Sequence, residues 1–234
     1  MSRFAKITAS IVLPASIYTG YVLNLRSVQP KETKFDIGST EDRIMDGLST
    51  GDVILFRRKW YNYHIPAAFT IASYRYKYNN IVYDHAGIII EDTHGTPYLL
   101  ENTFSGIKLR PYDSRMIYSK AQEIILLPLL PRVDLSNGQR IKAFKLANEY
   151  LHENNNKQYH EGKGLMNTII SKDQRCPSTQ VIIDMITKLH DQMISSSSSN
   201  DMNKIMKCDE FVTSKTIINN KFSFGNPVVL FQNQ

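Results

Sequence analysis

The chain is poor in cysteine, with only Cys176 and Cys208 among its 234 residues. Two thiols cannot build the disulfide framework of a secreted mini-domain, so a reducing compartment or a thiol at a site is expected. No N-x-S/T sequon occurs either, in keeping with that reading. Charge is neither abundant nor blocked: 21% of residues are charged and the formal net charge is +6, with Lys and Arg spread along the chain. That balance favours anionic surfaces, but no RNA- or DNA-reading signature interleaves aromatic with basic residues, so no nucleic-acid partner is expected. His64, His94, His152, His160 and His190 lack metal-ligand spacing, and Gly162-Lys163-Gly164 has no strand before it. Neither a metal nor a cofactor is expected.

Acidic residues are missing from the N-terminus until Glu32, while Arg3, Lys6, Arg26 and Lys31 are present. Between Lys6 and Arg26 lie nineteen uncharged residues, 7–25, about the length that crosses a bilayer as a helix. Thr8, Ser10, Ser16, Thr19 and Asn24 dilute this stretch and Pro14 interrupts it. A retained membrane helix, a basic mitochondrial presequence and an amphipathic surface segment therefore all fit residues 1–35. Membrane contact through residues 7–25 is the expectation, and the mitochondrial inner membrane is a location this composition allows. Residues 36–234 have the size of one domain with a sizeable core.

Within that domain Ser39 or Thr40 is placed to cap a short helix ahead of Glu41 and Asp42. Strands are predicted at Gly51–Phe56, Tyr83–Ile90, Tyr98–Asn102, Gly106–Leu109, Ile124–Leu130 (closed by Pro131) and Val228–Phe231. Pro66 opens a helix through Ala67, Ala68, Ile71 and Ala72 in an aromatic-rich stretch, Trp60 to Tyr78. Ile141, Phe144, Ala147, Tyr150 and Leu151 repeat at helical spacing. A last helix begins at Cys176, with Ile182, Ile186, Leu189 and Met193 on one face, and the run Ser195–Ser199 reads as loop. The expected class is α+β: an antiparallel, open barrel-like sheet of five or six strands packed on the cysteine-bearing helix, with an N-terminal helix besides.

Three side chains stand out chemically. A thiol attacks a carbonyl as thiolate, which a helix N-terminus and a neighbouring imidazole both favour. Cys176 follows Arg175 and precedes Pro177, a residue suited to the first helical position, so its thiol is expected where the helix dipole favours negative charge. First-turn N–H groups would hold an oxyanion. His85 would then serve as base and Glu101 would orient its ring.

The order of these motifs carries a resemblance. Gly51-Asp52 opening a strand, Asp84-His85-Ala86-Gly87-Ile88, Leu100-Glu101 with Ser105-Gly106-Ile107, Gln158-Tyr159, the Cys176 helix and the tail 222–231 together resemble the circularly permuted papain-like cysteine hydrolases. This is the permuted NlpC-like group that includes the YiiX-like proteins, in which histidine precedes cysteine in the chain. The resemblance implies Cys176 as nucleophile, His85 as base and Glu101 as third residue, acting on amide or ester bonds of a peptide or acyl substrate. Together with the membrane contact expected of residues 7–25, this gives the expectation of a membrane-tethered thiol hydrolase. Cys208-Asp209-Glu210-Phe211-Val212 resembles the cysteine run of the lecithin retinol acyltransferase-like proteins, another permuted group, and makes Cys208 the second candidate. Where the family continues from its cysteine with Ser-Glu-Leu-Val, this chain reads Pro177-Ser178-Thr179-Gln180-Val181. That departure carries the alternative expectation: a catalytically inactive papain-like subunit of a membrane complex.

Overall fold

A computed structural model describes residues 14, 16–18, 20–21, 34–63, 65–78, 81–130, 132, 135–155, 176–193, 207–213, 217–218 and 222–232. Most of residues 1–35, together with Gln158, Tyr159, Pro131, Arg175 and the serine run, lies outside the described residues.

Six strands form one antiparallel sheet: β1 (Val53–Arg58), β2 (His85–Glu91), β3 (Pro97–Thr103), β4 (Gly106–Pro111), β5 (Ala121–Leu127) and β9 (Val228–Gln232). Their spatial order is β4-β3-β2-β1-β5-β9, with every pairing antiparallel. The sheet is open, with β4 and β9 at its edges. Tight turns set the meander. Asp92 accepts from the backbone N–H of His94 and of Thr96, both at 2.8 Å, and Gly95 and Gly106 supply the positive φ that the β2–β3 and β3–β4 reversals need. Gly51 does the same ahead of β1, with φ 101°.

The central strands are apolar without alternation because both faces of the sheet are covered. On one face Val53, Leu55, Ala86, Ile88, Ile90 and Leu100 share a core with two helices, α4 (Asn137–Asn155) and α5 (Pro177–Met193). On the other, Ile54, Phe56, Ile89, Leu99 and Ile124 pack with Leu48 and with Tyr112 of the short helix α3 (Tyr112–Ile117). α5 buries Val181, Ile182, Met185, Ile186 and Leu189. The α4 stripe is turned from the expected one: Ala143, Leu146, Ala147 and Tyr150 are buried, whereas Ile141 is half exposed. The remaining helices are α1 (Thr40–Asp46), where Ser39 Oγ accepts from Asp42 N at 3.1 Å as its N-cap, α2 (Ile65–Lys77) and α6 (Glu210–Thr213).

One expected strand is split. Pro128 cannot donate to a ladder, so β5 stops at Leu127 and β6 (Leu129–Leu130) pairs instead with β8 (Phe222–Phe224), itself paired with β7 (Ile217–Ile218). The antiparallel sheet and the α+β class otherwise follow the sequence expectation.

A buried carboxylate fixes the start of β2. Asp84, fully buried, accepts from Arg58 Nε at 2.9 Å and from Arg75 Nε at 2.6 Å, tying β1 and α2 to the residue before His85. Arg58 is itself 3% exposed, so Asp84→Asn would strand its charge. We expect that variant to lose about 3–5 kcal/mol of folding stability, read from urea unfolding.

Candidate active site

His85 is the first residue of β2 and Glu101 lies on the neighbouring β3. In the ladder Glu101 is opposite Gly87, two residues along from His85 and on the same face. The pair therefore meets diagonally, beside a position with no side chain. A Cβ at Gly87 would come within 2.9 Å of two Leu99 side-chain carbons, so glycine lets β2 and β3 close. His85 Nε2 is 2.7 Å from Glu101 Oε2.

The two oxygens of Glu101 have separate duties. Oε2 faces the imidazole, while Oε1 accepts from Arg115 Nε at 2.7 Å and from Arg110 Nη2. Burial alone would push this fully enclosed carboxyl up, but Arg115, His85 and Arg110 outweigh it and hold it well below the usual carboxylate range. Glu101 is thus an anion at neutral pH. Arg115 also stacks over Phe56 at 4.4 Å, and the Phe56 ring lies 5.4 Å from that of His85, so the imidazole is braced on its flank as well.

An ionised carboxylate can only accept, so His85 Nε2 carries the proton in that bond. In the neutral ring Nδ1 is then the acceptor, and the hydrogen-bond network alone assigns this tautomer. The group facing Nδ1 is the Ser178 hydroxyl, with Oγ at 3.0 Å. Ser178 therefore donates to Nδ1, and the three residues form a relay from Ser178 through His85 to Glu101. Its ring polarity is opposite to that of the Ser-His-Asp proteases, where Nε2 faces the serine.

Ser178 is the second residue of α5. The first intrahelical bond runs from Gln180 N to Cys176 O at 2.9 Å, so the N–H groups of Ser178 and Thr179 precede the ladder, at the positive end of the helix dipole. Pro177 at the first position costs the turn nothing, because its N–H would have had no helical partner.

Cys176 sits just before that turn, fully buried, with Sγ 3.9 Å from Cys208 Sγ. Neither thiol is in a disulfide, and both belong to the core that includes Tyr74 and Phe211. The Cys208 thiol is pushed well up from its usual value by its bond to the Cys176 sulfur and by burial. A thiol so placed is a poor thiolate, which weighs against the second candidate. Tyr74, whose hydroxyl points into this core, is likewise pushed up by burial and then by the two sulfurs. Asp209 accepts from the backbone N–H of Val82 at 2.7 Å and of Tyr83 at 2.6 Å, so the Cys208 turn is fastened to the chain leading into His85.

His85 and Glu101, picked from the sequence, are therefore together, and Cys176 is at the start of α5 beside Cys208. Ser178, Arg110, Arg115, Asp84 and Asp209 were not picked. Side chains two apart near a helix start diverge by roughly 200°, so only the packing of α5 decides which one turns to the base. For the arginines, the alternation of β4 gave no hint that Arg110 would fold over a buried anion.

No family model matches the chain and no curated protein matches it. Among solved structures it is similar to the metalloprotein YiiX from Escherichia coli O157:H7, described with the domain DUF1105, at 13% identity and a TM-score of 0.40, over 79% of this chain and 97% of that one. A likeness at that level bears on nothing in the chemistry of the site. Among the described residues no group of three or more His, Cys, Asp or Glu side chains is arranged to hold a metal ion.

Glu101 titrates lower folded than unfolded, so it stabilises the fold above about pH 4.3, the unfolded value, and that contribution is lost as pH falls through the folded value. Glu101→Gln should lower neutral-pH stability by about 3 kcal/mol, because Arg115 loses its counter-charge. Thermal unfolding followed from neutral to strongly acid pH should show the acid limb of the wild-type profile flattened in that variant.

Proposed function

We propose that the chain is a hydrolase of amide or ester bonds, built as a permuted papain-like domain and working through an acyl-enzyme. One observation carries the reading: the Ser178 hydroxyl meets the acceptor nitrogen of His85 at 3.0 Å while the other ring nitrogen is committed to the Glu101 anion. That is a nucleophile, a base and an orienting group in hydrogen-bond sequence.

The chemistry follows from the tautomer. Ser178 Oγ attacks the substrate carbonyl carbon as its proton passes to His85 Nδ1, and Glu101 stabilises the resulting imidazolium. The oxyanion of the tetrahedral adduct is met by the N–H groups of Ser178 and Thr179 at the head of α5. Collapse expels the amine or alcohol, which takes the proton from Nδ1 and leaves an ester on Ser178. Water then attacks that ester, giving its proton to Nδ1, and the acid departs as the proton returns to Ser178.

Cys176 remains the competing nucleophile, on the strength of its intrinsic reactivity and its place at the same helix start. A membrane tether through residues 7–25 also stands as a proposal; among the described residues no helix is long and apolar enough to cross a membrane. The accessory, non-catalytic reading draws on a specific feature: Ser178 and Glu101 are fully buried and His85 is 3% exposed, so the relay is enclosed. An enclosed, fully satisfied polar relay also suits a purely structural role.

A fluorophosphonate probe separates these readings. We expect its adduct on Ser178, lost in His85→Gln, and ester hydrolysis reduced about a thousandfold or more in Ser178→Ala with Cys176→Ala near wild type. An adduct or an activity loss that follows Cys176 instead returns the nucleophile to the thiol. A folded protein that takes no adduct and cleaves no ester supports the accessory reading.

A further inference from the structure

Two stretches of the chain, residues 1–31 and 53–83, contain no acidic residue, and Tyr18 of the first touches the second. The Tyr18 hydroxyl lies 2.7 Å from the carbonyl oxygen of Tyr61 and 2.9 Å from that of Tyr63, sharing its proton between them. The N-terminal segment is thereby fastened to the turn Trp60–Asn62, which leads directly into α2.

α2 is two-faced. Ala67, Ala68, Thr70, Ile71 and Tyr74 are buried, Tyr74 in the core shared with the sheet. The opposite side shows Ile65, Phe69 and Tyr76, which are 40%, 64% and 86% exposed. Trp60 and Tyr61, in the turn packed against α2, extend this apolar surface at one end; Ile17 and Tyr21, on the segment that Tyr18 holds, are exposed as well. Phe69, Ala72, Ser73, Tyr76 and Lys77 line a shallow open groove along the helix. Between Arg57 and Lys77 the chain carries five cations, and Asp84 accounts for two of them, Arg58 and Arg75. Lys59, next to Trp60, and Lys77, which lines the groove with its Nζ over the Tyr78 ring at 5.2 Å, put positive charge at the rim of the aromatic face.

Exposed Trp and Tyr beside Lys, around an apolar helical stripe, is the composition of a surface that sits at lipid headgroup level. The charge selects an anionic leaflet. We propose that the outer face of α2, with Trp60 and Tyr61, docks on an anionic bilayer surface beside the N-terminal segment. This rests on the membrane-attachment part of the reading above and not on its hydrolytic part. Arg75 Nε reaches Asp84, the neighbour of His85, at 2.6 Å, so the docking helix is rigidly joined to the strand bearing the base.

Trp60 is the only tryptophan in the chain, so its fluorescence reports this face alone. With the full chain and vesicles of phosphatidylcholine plus phosphatidylserine, Trp60 emission should shift to the blue and be quenched by brominated acyl chains, with a much weaker effect on phosphatidylcholine alone. Phe69→Ser combined with Tyr76→Ser should weaken vesicle binding about tenfold or more, and Lys59→Gln with Lys77→Gln should abolish the preference for the anionic lipid. Cosedimentation with vesicles while Trp60 stays unquenched would overturn the proposal but keep attachment by the N-terminal segment. No cosedimentation at all would overturn both. An emission shift that needs a soluble protein rather than lipid would also overturn it, making the face a protein interface. Ester hydrolysis by the same samples is independent of these outcomes.

Discussion

The anion of Glu101 holds the site in one state. Buried without partners, a carboxyl on β3 would take up a proton and could then either donate to or accept from the imidazole. Arg115 and Arg110 prevent this by occupying Oε1, leaving Oε2 as an obligate acceptor for His85. In the neutral ring Nε2 then carries the proton, Nδ1 accepts, and the hydroxyl facing Nδ1 donates. A charge pair placed for burial reasons thereby sets the direction of a proton relay.

A second constraint positions the relay against the rest of the fold. Asp84 draws Arg58 from β1 and Arg75 from α2 to the start of β2, and Asp209 fastens the Cys208 turn to the two residues before it. Three distant parts of the chain thus converge on residues 82–84. His85 is consequently carried on a strand whose entry is fixed by two carboxylates, while Ser178 comes from a helix that packs across the same sheet. The outward aromatic face of α2 is coupled to that strand through Arg75.

Much of this was legible in the chain. The strands could be found because Gly51, Gly95 and Gly106 mark reversals and because apolar runs such as Ile88-Ile89-Ile90 bury both faces. His85 and Glu101 could be named only through the motif order, Asp84-His85-Ala86-Gly87-Ile88 followed by Leu100-Glu101; alone, one reads as a core histidine and the other as an edge carboxylate. The split at Pro128 and the rotated stripe of α4 were less legible, since a dipeptide strand and one helix phase depend on neighbours that local sequence does not specify. The arginines over Glu101 were invisible for the same reason: a surface-strand arginine and one over a buried anion look alike in sequence.

Local sequence, then, determined the α+β class, the β2–β3 and β3–β4 hairpins and the helix starting at Pro177. Those features depend on turn chemistry and periodicity, which act over a few residues. Only the tertiary structure decided which first-turn side chain meets the base. Cys176 and Ser178 are two residues apart at one helix start, and the rotation of α5 about its axis, set by burying Val181, Ile182, Met185, Ile186 and Leu189, turns the hydroxyl to His85 and the thiol to Cys208.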